Sequence, residues 1–242
     1  MNDPVVEAKD VTKVLGSGAG EVQAVKNVSL SLRAGEVVLL MGPSGSGKTT
    51  LLSVLGGMLT PTSGTVEIRG VSTAGADPEK LAGLRRQHMG FVFQTYHLFP
   101  TLTAAENVQL ALDMRGIRGR EASERTRDAL EQVGLTHKLR SFPLELSGGE
   151  QQRVAIARAI VGHPSAVLAD EPTAALDGDN GQRIMSTLSS IAHDHGRTVL
   201  VVTHDSRLTS FADRIIFIED GRLVGERRTE ADTPKLLATV GP

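Results

Sequence analysis

The chain has no cysteine and no tryptophan, and among 242 residues it carries one tyrosine and six phenylalanines. Without cysteine there is no disulfide framework, and "MNDPVVEAKD" shows no signal-peptide pattern, so the cytoplasm is the expected compartment. Long apolar runs are also missing. "VVLLM" and "VLVV" fall far short of the roughly 20 residues that span a bilayer, so any membrane role is expected to come through a partner. Charge of one sign is missing as well. A formal net charge of −2 argues against a nucleic-acid binder working by bulk electrostatics. The arginines at Arg85 and Arg86 and between Arg115 and Arg127 read as solvated helix faces. What remains, 40% hydrophobic and 22% charged, is the balance of a folded globular protein, and the length suits one domain with lobes.

The pattern along the chain is that of an α/β protein. "VVEAKDVTKVL" and "VQAVKNVSLSL" alternate apolar and polar residues around "GSGAG", which predicts an N-terminal antiparallel β-lobe. "EVVLLM" (36–41) is a short buried-strand run that leads through glycines into the helical "KTTLLSVLGGM". "TVEIRGVS" reads as a hairpin. Asp77-Pro78 opens a helix, and "MGFVF" (89–93) follows as a strand. From Thr101 to His163 the texture is helical, with a capping box at Thr103 and Glu106 and stops at Gly116 and Gly134. "AVLAD" (166–170), a helix near 179–194, "TVLVV" (198–202) and the Asp220-Gly221 hairpin complete the pattern. Buried strands alternating with helices imply a mainly parallel sheet covered on both faces, with ligands beyond the carboxyl ends of the strands. The expected division is a β-lobe and core at 1–94 and 164–225, an inserted helical arm at 95–163, and a tail at 226–242.

Between strand and helix, "GPSGSGKT" fits G-x-x-x-x-G-K-[ST] in the context that motif requires. Gly42, Pro43, Ser44, Gly45, Ser46 and Gly47 form a loop whose backbone N–H groups can converge on phosphate at a helix N-terminus, with Thr50 just behind. Lys48 adds a point charge and the Thr49 hydroxyl can ligate Mg²⁺. The predicted ligand is a nucleoside triphosphate. Asp170 stands at the ligand end of a wholly apolar strand, suited to the metal, and Glu171, pointing elsewhere, can polarise an attacking water. His204 ends another core strand at the same edge, where it can touch the γ-phosphate or hold water and Glu171 in line. Gln94 can reach metal or water from a fourth strand end.

"LSGGEQQR" (146–153) raises a separate question. Ser147 and Glu150 form a capping box, which explains the serine but not Gly148 and Gly149. Each glycine forgoes up to about 1 kcal/mol of helix stability relative to alanine, while it lets a bulky anion approach the open N–H groups. The turn therefore looks like a second phosphate site, and Lys48 already provides a full cradle elsewhere. A second copy of the chain is the natural source of the second phosphate.

These motifs, together with "VLADEP" and "AALD" (174–177), stand in the order found in the ATP-binding-cassette ATPases, which the sequence resembles over nearly its whole length. The resemblance implies a P-loop NTPase core, ATP and Mg²⁺ as cofactors, and a head-to-tail dimer. In that dimer Ser147 and Gly149 of one subunit close on the γ-phosphate held by Lys48 of the other, with Asp177 linking the two sites. Where relatives stack an aromatic residue on adenine, this chain has Leu15, which implies apolar contact in place of stacking. "FVFQTYHLFPTLTAAENV" looks most like the subgroup that serves lipoprotein release, macrolide export and glycolipid export. That implies a permease partner and a place on the cytoplasmic face of the inner membrane. Phe91 and Phe93 alternate as core, whereas Tyr96 and Phe99 suit a groove for a permease helix. Two alternatives remain at this stage: a mechanical regulator that signals through a permease-like partner, and a soluble nucleic-acid or ribosome ATPase. The second lacks its coiled coils and duplicated cassette here.

Overall fold

The alternating N-terminal segments form two long antiparallel strands, β1 (Val6–Leu15) and β2 (Val22–Leu32), paired from Val6 opposite Leu32 to Leu15 opposite Val22. The computed structural model describes residues 3–229. The apolar run becomes β3 (Val37–Met41) and passes through the glycine loop into α1 (Lys48–Leu55). β4 (Ser63–Ile68) and β5 (Val71–Ser72) form the predicted hairpin, with both turn residues left-handed, Arg69 at φ 51° and Gly70 at φ 74°. β4 pairs with the free edge of β1, so the lobe is a four-stranded antiparallel sheet of order β2-β1-β4-β5.

The second sheet holds the site. α2 (Pro78–His88) starts where predicted, with the Asp77 carboxylate accepting from the Lys80 N–H at 2.8 Å, and leads into β6 (Met89–Val92). Three helices follow: α3 (Ala104–Asp113) with the Thr103/Glu106 capping box, α4 (Gly119–Gln132) and α5 (Gly148–Ile160). β7 (Ala166–Asp170), α6 (Gly178–His193), β8 (Thr198–Thr203), β9 (Arg214–Glu219) and β10 (Arg222–Arg228) complete the described chain. The strand order is β10-β9-β3-β8-β7-β6, parallel except for β10, which turns back through Asp220 and Gly221. Of the expected tail, the first residues belong to β10, and 230–242 lie outside the described residues.

Both faces of this sheet are buried. Alternate β3 residues Val37, Leu39 and Met41 join one core with residues of α3, α4, α5 and α6. Val38 and Leu40 join a second core with α1 and the β-lobe residues Val6, Val28, Leu32 and Ile68. That division is why the central strands read as continuous apolar runs.

The arginine clusters depart from expectation. Arg86, Arg120 and Arg125 form exposed pairs with Glu79, Glu124 and Glu121, but Arg85 donates to the Gly57 carbonyl at 2.7 Å. The half-buried Arg115 guanidinium fills the space above Gly162, where a Cβ would come within 0.9 Å of its nitrogen. Local charge density could not distinguish these long-range roles from solvation.

Helix α5 also lies against the sheet: a Cβ on Gly90 of β6 would stand 2.4 Å from the Ala159 carbonyl. Gly90→Ala should therefore destabilise the protein by about 1–3 kcal/mol, because backbone must move. Gly83→Ala, in open space on α2, should stabilise it by about 0.5–1 kcal/mol. Denaturant unfolding of both variants checks the contrast, and equal midpoints would contradict the packing described.

Candidate functional site

The glycine loop owes its shape to two kinds of constraint. Gly45 (φ 79°) and Gly47 (φ 96°) occupy left-handed backbone, which side chains resist. Close approach adds to this: a Cβ on Gly42 would lie 2.0 Å from the Ile218 carbonyl, and one on Gly47 would lie 2.1 Å from the Ala24 carbonyl. Ser46 is buried beneath the loop, and its Oγ has no hydrogen-bond partner. Gly47 caps α1, so the loop delivers its N–H groups at a helix N-terminus, where the dipole favours an anion. Lys48 is buried and donates to the Gly42 and Pro43 carbonyls at 2.8 Å each, which arches the ammonium over the loop.

Above the loop opens a cavity of about 730 Å³, lined by Pro43, Ser44, Gly45 and residues 47–50 together with Leu15, Gln94, Glu171 and His204. Ala24, Ala174 and Val202 also line it, and sequence reasoning missed them because small apolar residues carry no local signature. Leu15 is 37% exposed on the cavity wall and presents an apolar surface there.

Strand ends supply the chemistry. The Thr49 hydroxyl donates to Asp170 Oδ1 at 3.1 Å across the gap between α1 and β7. Burial pushes the Asp170 carboxyl above its ordinary range; the Thr49 hydrogen bond and the Lys48 charge oppose that, and Glu171 adds to it. Glu171 leaves the strand in left-handed backbone, φ 46°, with its N–H bonded to the Val202 carbonyl at 2.9 Å. This turn separates the neighbouring carboxylates, one toward Thr49 and the other toward His204, whose Nδ1 lies 2.7 Å from Glu171 Oε1. A left-handed non-glycine residue costs of order 1 kcal/mol or more, and such strain gathers at functional positions. Thr49, Asp170 and Gln94 offer hard oxygen donors. Among the described residues no group of three or more His, Cys, Asp or Glu is arranged to hold a metal. The donor set therefore fits a cation that keeps much of its shell as water or phosphate oxygen, as Mg²⁺ does.

Ser147, Gly148, Gly149, Glu150 and Asp177 do not line this cavity. The capping box is formed: Glu150 accepts from the Ser147 N–H at 2.8 Å, and the Ser147 hydroxyl accepts from the Glu150 N–H at 3.3 Å. The glycines also have neighbours within the chain. A Cβ on Gly148 would meet the Tyr96 hydroxyl at 3.0 Å, and one on Gly149 would meet Asn180 Oδ1 at 3.1 Å. Tight packing is thus a second reason for the diglycine, beside access for an anion. Asp177 caps α6, accepting from the Asn180 N–H at 2.9 Å and its side-chain amide at 2.8 Å.

A strand-bounded glycine loop with carboxylates and a histidine at neighbouring strand ends defines a P-loop nucleotide-binding domain. Residues 25–174 match the family described as ABC transporter, and the chain belongs to that family. It is 42% identical over 226 residues to the macrolide export ATP-binding/permease protein MacB of Hyphomonas neptunium, covering 93% of this chain and 35% of that protein. With MacB of Salmonella typhi the identity is 44% over 220 residues, 91% of this chain and 34% of the relative. The chain thus spans about a third of the length of these curated relatives. Among solved structures, the dimeric post-hydrolysis state of the ATP-binding cassette MJ0796, bound to ADP and Pi, superposes with a TM-score of 0.85 at 43% identity, covering 92% of this chain and 98% of that one. CbiO1 from Clostridium perfringens, part of the ABC transporter complex cbiONQ, gives 0.84 at 26% identity, covering 94% and 89%. The chain is accordingly an ATPase cassette.

Asp170 gives a test that separates function from stability. Because burial raises its folded-state pKa, its contribution to stability is present while it is protonated and lost as pH rises through that value. At pH 7 without nucleotide, Asp170→Asn should melt above the parent, and the gap should close as pH falls into the carboxylate range. Turnover should drop at least about 10²-fold. Melting curves from pH 4 to 8 check this, and a neutral-pH melting point at or below the parent's would contradict it.

Proposed function

We propose that the chain is the ATP-hydrolysing subunit of an export or release transporter and works as a head-to-tail dimer around two nucleotides. The observation that carries this is the separation of two phosphate-competent turns. The cavity gathers Lys48, Gln94, Glu171 and His204, while the Ser147–Gly149 turn stands outside it. A second copy brings that turn to the open side of the cavity, in keeping with the dimeric state of the MJ0796 cassette.

Within each site the loop N–H groups and Lys48 hold the β- and γ-phosphates, and Leu15 supports the base by apolar contact. Glu171 polarises the attacking water, and His204, hydrogen-bonded to it, fixes its direction. Gln94 completes the water's surroundings. Thr49, Asp170 and Gln94 would hold Mg²⁺, which supplies charge neutralisation on the phosphate oxygens. Ser147 and Gly149 of the second copy close the γ-phosphate, Gly148 and Glu150 shape that turn, and Asp177 links the two sites.

Work leaves the cassette through a membrane partner. Among the described residues no helix is long and apolar enough to cross a membrane, and MacB, named as an ATP-binding/permease protein, extends well beyond the matched cassette. We propose the turn before α3 as the docking surface. Phe99 is 51% exposed there, held by Asn107, while Tyr96 is half-buried and its hydroxyl faces Gly148. Phe142 and Leu144 are exposed in the segment that continues from Ser141, whose carbonyl accepts from the Ala104 N–H at 2.8 Å. Such aromatic and aliphatic anchors suit a permease helix lying on the cytoplasmic face of the inner membrane.

Glu171→Gln keeps the shape of the site and removes the base. The variant should bind ATP within about threefold of the parent, lose turnover by at least about 10²-fold, and run as an ATP-dependent dimer in light scattering. A variant that hydrolyses like the parent, or stays monomeric at saturating ATP, would overturn the proposal.

A further inference from the structure

At the edge of the second sheet opposite the nucleotide cavity, where β7 and β8 begin, the chain buries a cation that has no counter-ion. Arg197 stands immediately before β8 and is 7% exposed. Arg214, the other arginine buried to this degree among the described residues, meets Glu36 at 3.2 Å and Glu226 at 3.3 Å. Arg197 forms no ion pair among the described residues. Burial lowers its pKa with no acid to oppose the effect, and its Nη1 is buried without a hydrogen-bond partner. Arginine is almost never buried unpaired, because desolvation of the charge then goes uncompensated.

The arginine is held in place by its backbone and by a histidine. Its N–H donates to the Ala192 carbonyl at 3.1 Å, and its carbonyl accepts from the Gly35 N–H at 3.1 Å. Nη2 donates to His163 Nδ1 at 3.0 Å, so the proton of that ring sits on Nε2. Burial, then Arg197, Arg125, Arg115 and His195, hold the His163 pKa below its ordinary value, and no acid counters them. A cavity of about 370 Å³ opens here, bordered by Arg69, His163, His195 and Arg197. Arg69 also borders a neighbouring cavity with Asp3, Glu7 and Glu67, so the unanswered charge is that of Arg197. His163 and His195 are exposed, which leaves the mouth open to solvent.

We propose that this cavity is a binding site for a phosphate-type oxyanion, with Arg197 at its floor and His163 and His195 at its mouth. A planar guanidinium presents paired N–H donors whose spacing matches the oxygens of an oxyanion. Two imidazoles and Arg69 add further donors, which favours a dianionic phosphate over a single carboxylate. Two sources share this chemistry: a soluble phosphate compound and the phosphate-monoester headgroup of a lipid. The site is separate from the nucleotide cavity. Ser165 and Arg197 precede the two strands whose other ends deliver Asp170 and His204, and the site does not depend on a shared nucleotide.

Histidine-ring NMR on the unmodified, nucleotide-free, full-length chain reads the site directly. Inorganic phosphate added at constant ionic strength should move the His163 and His195 Cε1–Hε1 signals together, half-way at or below about 1 mM. His163→Gln and His195→Gln assign those signals, while His204 reports separately on phosphate in the nucleotide cavity. Lys48→Ala removes that competing cradle. In this background, phosphate at about ten times its half-saturating level should raise the melting point by about 3 °C, and Arg197→Met should abolish the rise. A headgroup ligand gives a different result: free phosphate leaves both ring signals in place, and vesicles of phosphatidate in phosphatidylcholine capture the Lys48→Ala chain about fivefold better than its Arg197→Met derivative. Arg197→Gln replaces Arg197→Met if the latter does not fold. The site is overturned if phosphate moves only the His204 signal and vesicle capture ignores Arg197, or if the melting point rises equally with and without Arg197.

Discussion

The glycine loop, Asp170, Glu171 and His204 owe their placement to the register of three buried parallel strands, β3, β8 and β7. Met41 stands level with Thr203, and Asp170 with Val202, so the glycine loop, the two carboxylates and His204 all emerge at one edge. A slip of one residue would turn the β3 side chains from one core to the other. Because both cores are filled, by α3–α6 on one side and by α1 and the β-lobe on the other, that slip is prohibitive. The hydrophobic effect thus does the aiming, and polar chemistry is placed where the apolar runs stop.

Holding the site in this form works against stability at several points. Glu171 accepts left-handed backbone, Asp170 is kept where burial opposes its charge, and Ser46 buries an unpaired hydroxyl. The Gln94 loop repeats the pattern with two left-handed residues under Arg158. Glu171, Asp170 and Ser46 lie on or beside the cavity, but similar conflicts occur elsewhere, in the left-handed Asp10, Asn27 and Arg69 and in the buried Gln152, whose side-chain amide has no hydrogen-bond partner.

Much of this was legible in the sequence because its causes are local. The phosphate loop, the capping boxes at Thr103 and Ser147, the Asp77 cap and the Asp220-Gly221 turn each depend on residues within a few positions of one another, and each stands where the pattern put it. Asp170, Glu171, His204, Gln94 and Leu15 also reach the loop or its cavity as read. What escaped depends on distant neighbours. Nothing near Gly47 announces the Ala24 carbonyl, nothing near Arg115 announces Gly162, and nothing in "AIARAI" announces the Tyr96 carbonyl that Arg158 holds. Gly148 and Gly149 fall between the two cases: their helical cost is visible locally, but their contacts with Tyr96 and Asn180 are not.

The proposed head-to-tail arrangement can be tested directly because the chain lacks cysteine. Chains carrying only Ser44→Cys and chains carrying only Ser147→Cys, both in the Glu171→Gln background, are exposed to a short bismaleimide with saturating ATP, separately and mixed. Covalent dimer should form in the mixture and in neither chain alone, because the loop of one subunit meets the serine turn of the other. Dimer formed equally well by either chain alone, or by none of the three samples, would contradict a nucleotide shared between two copies.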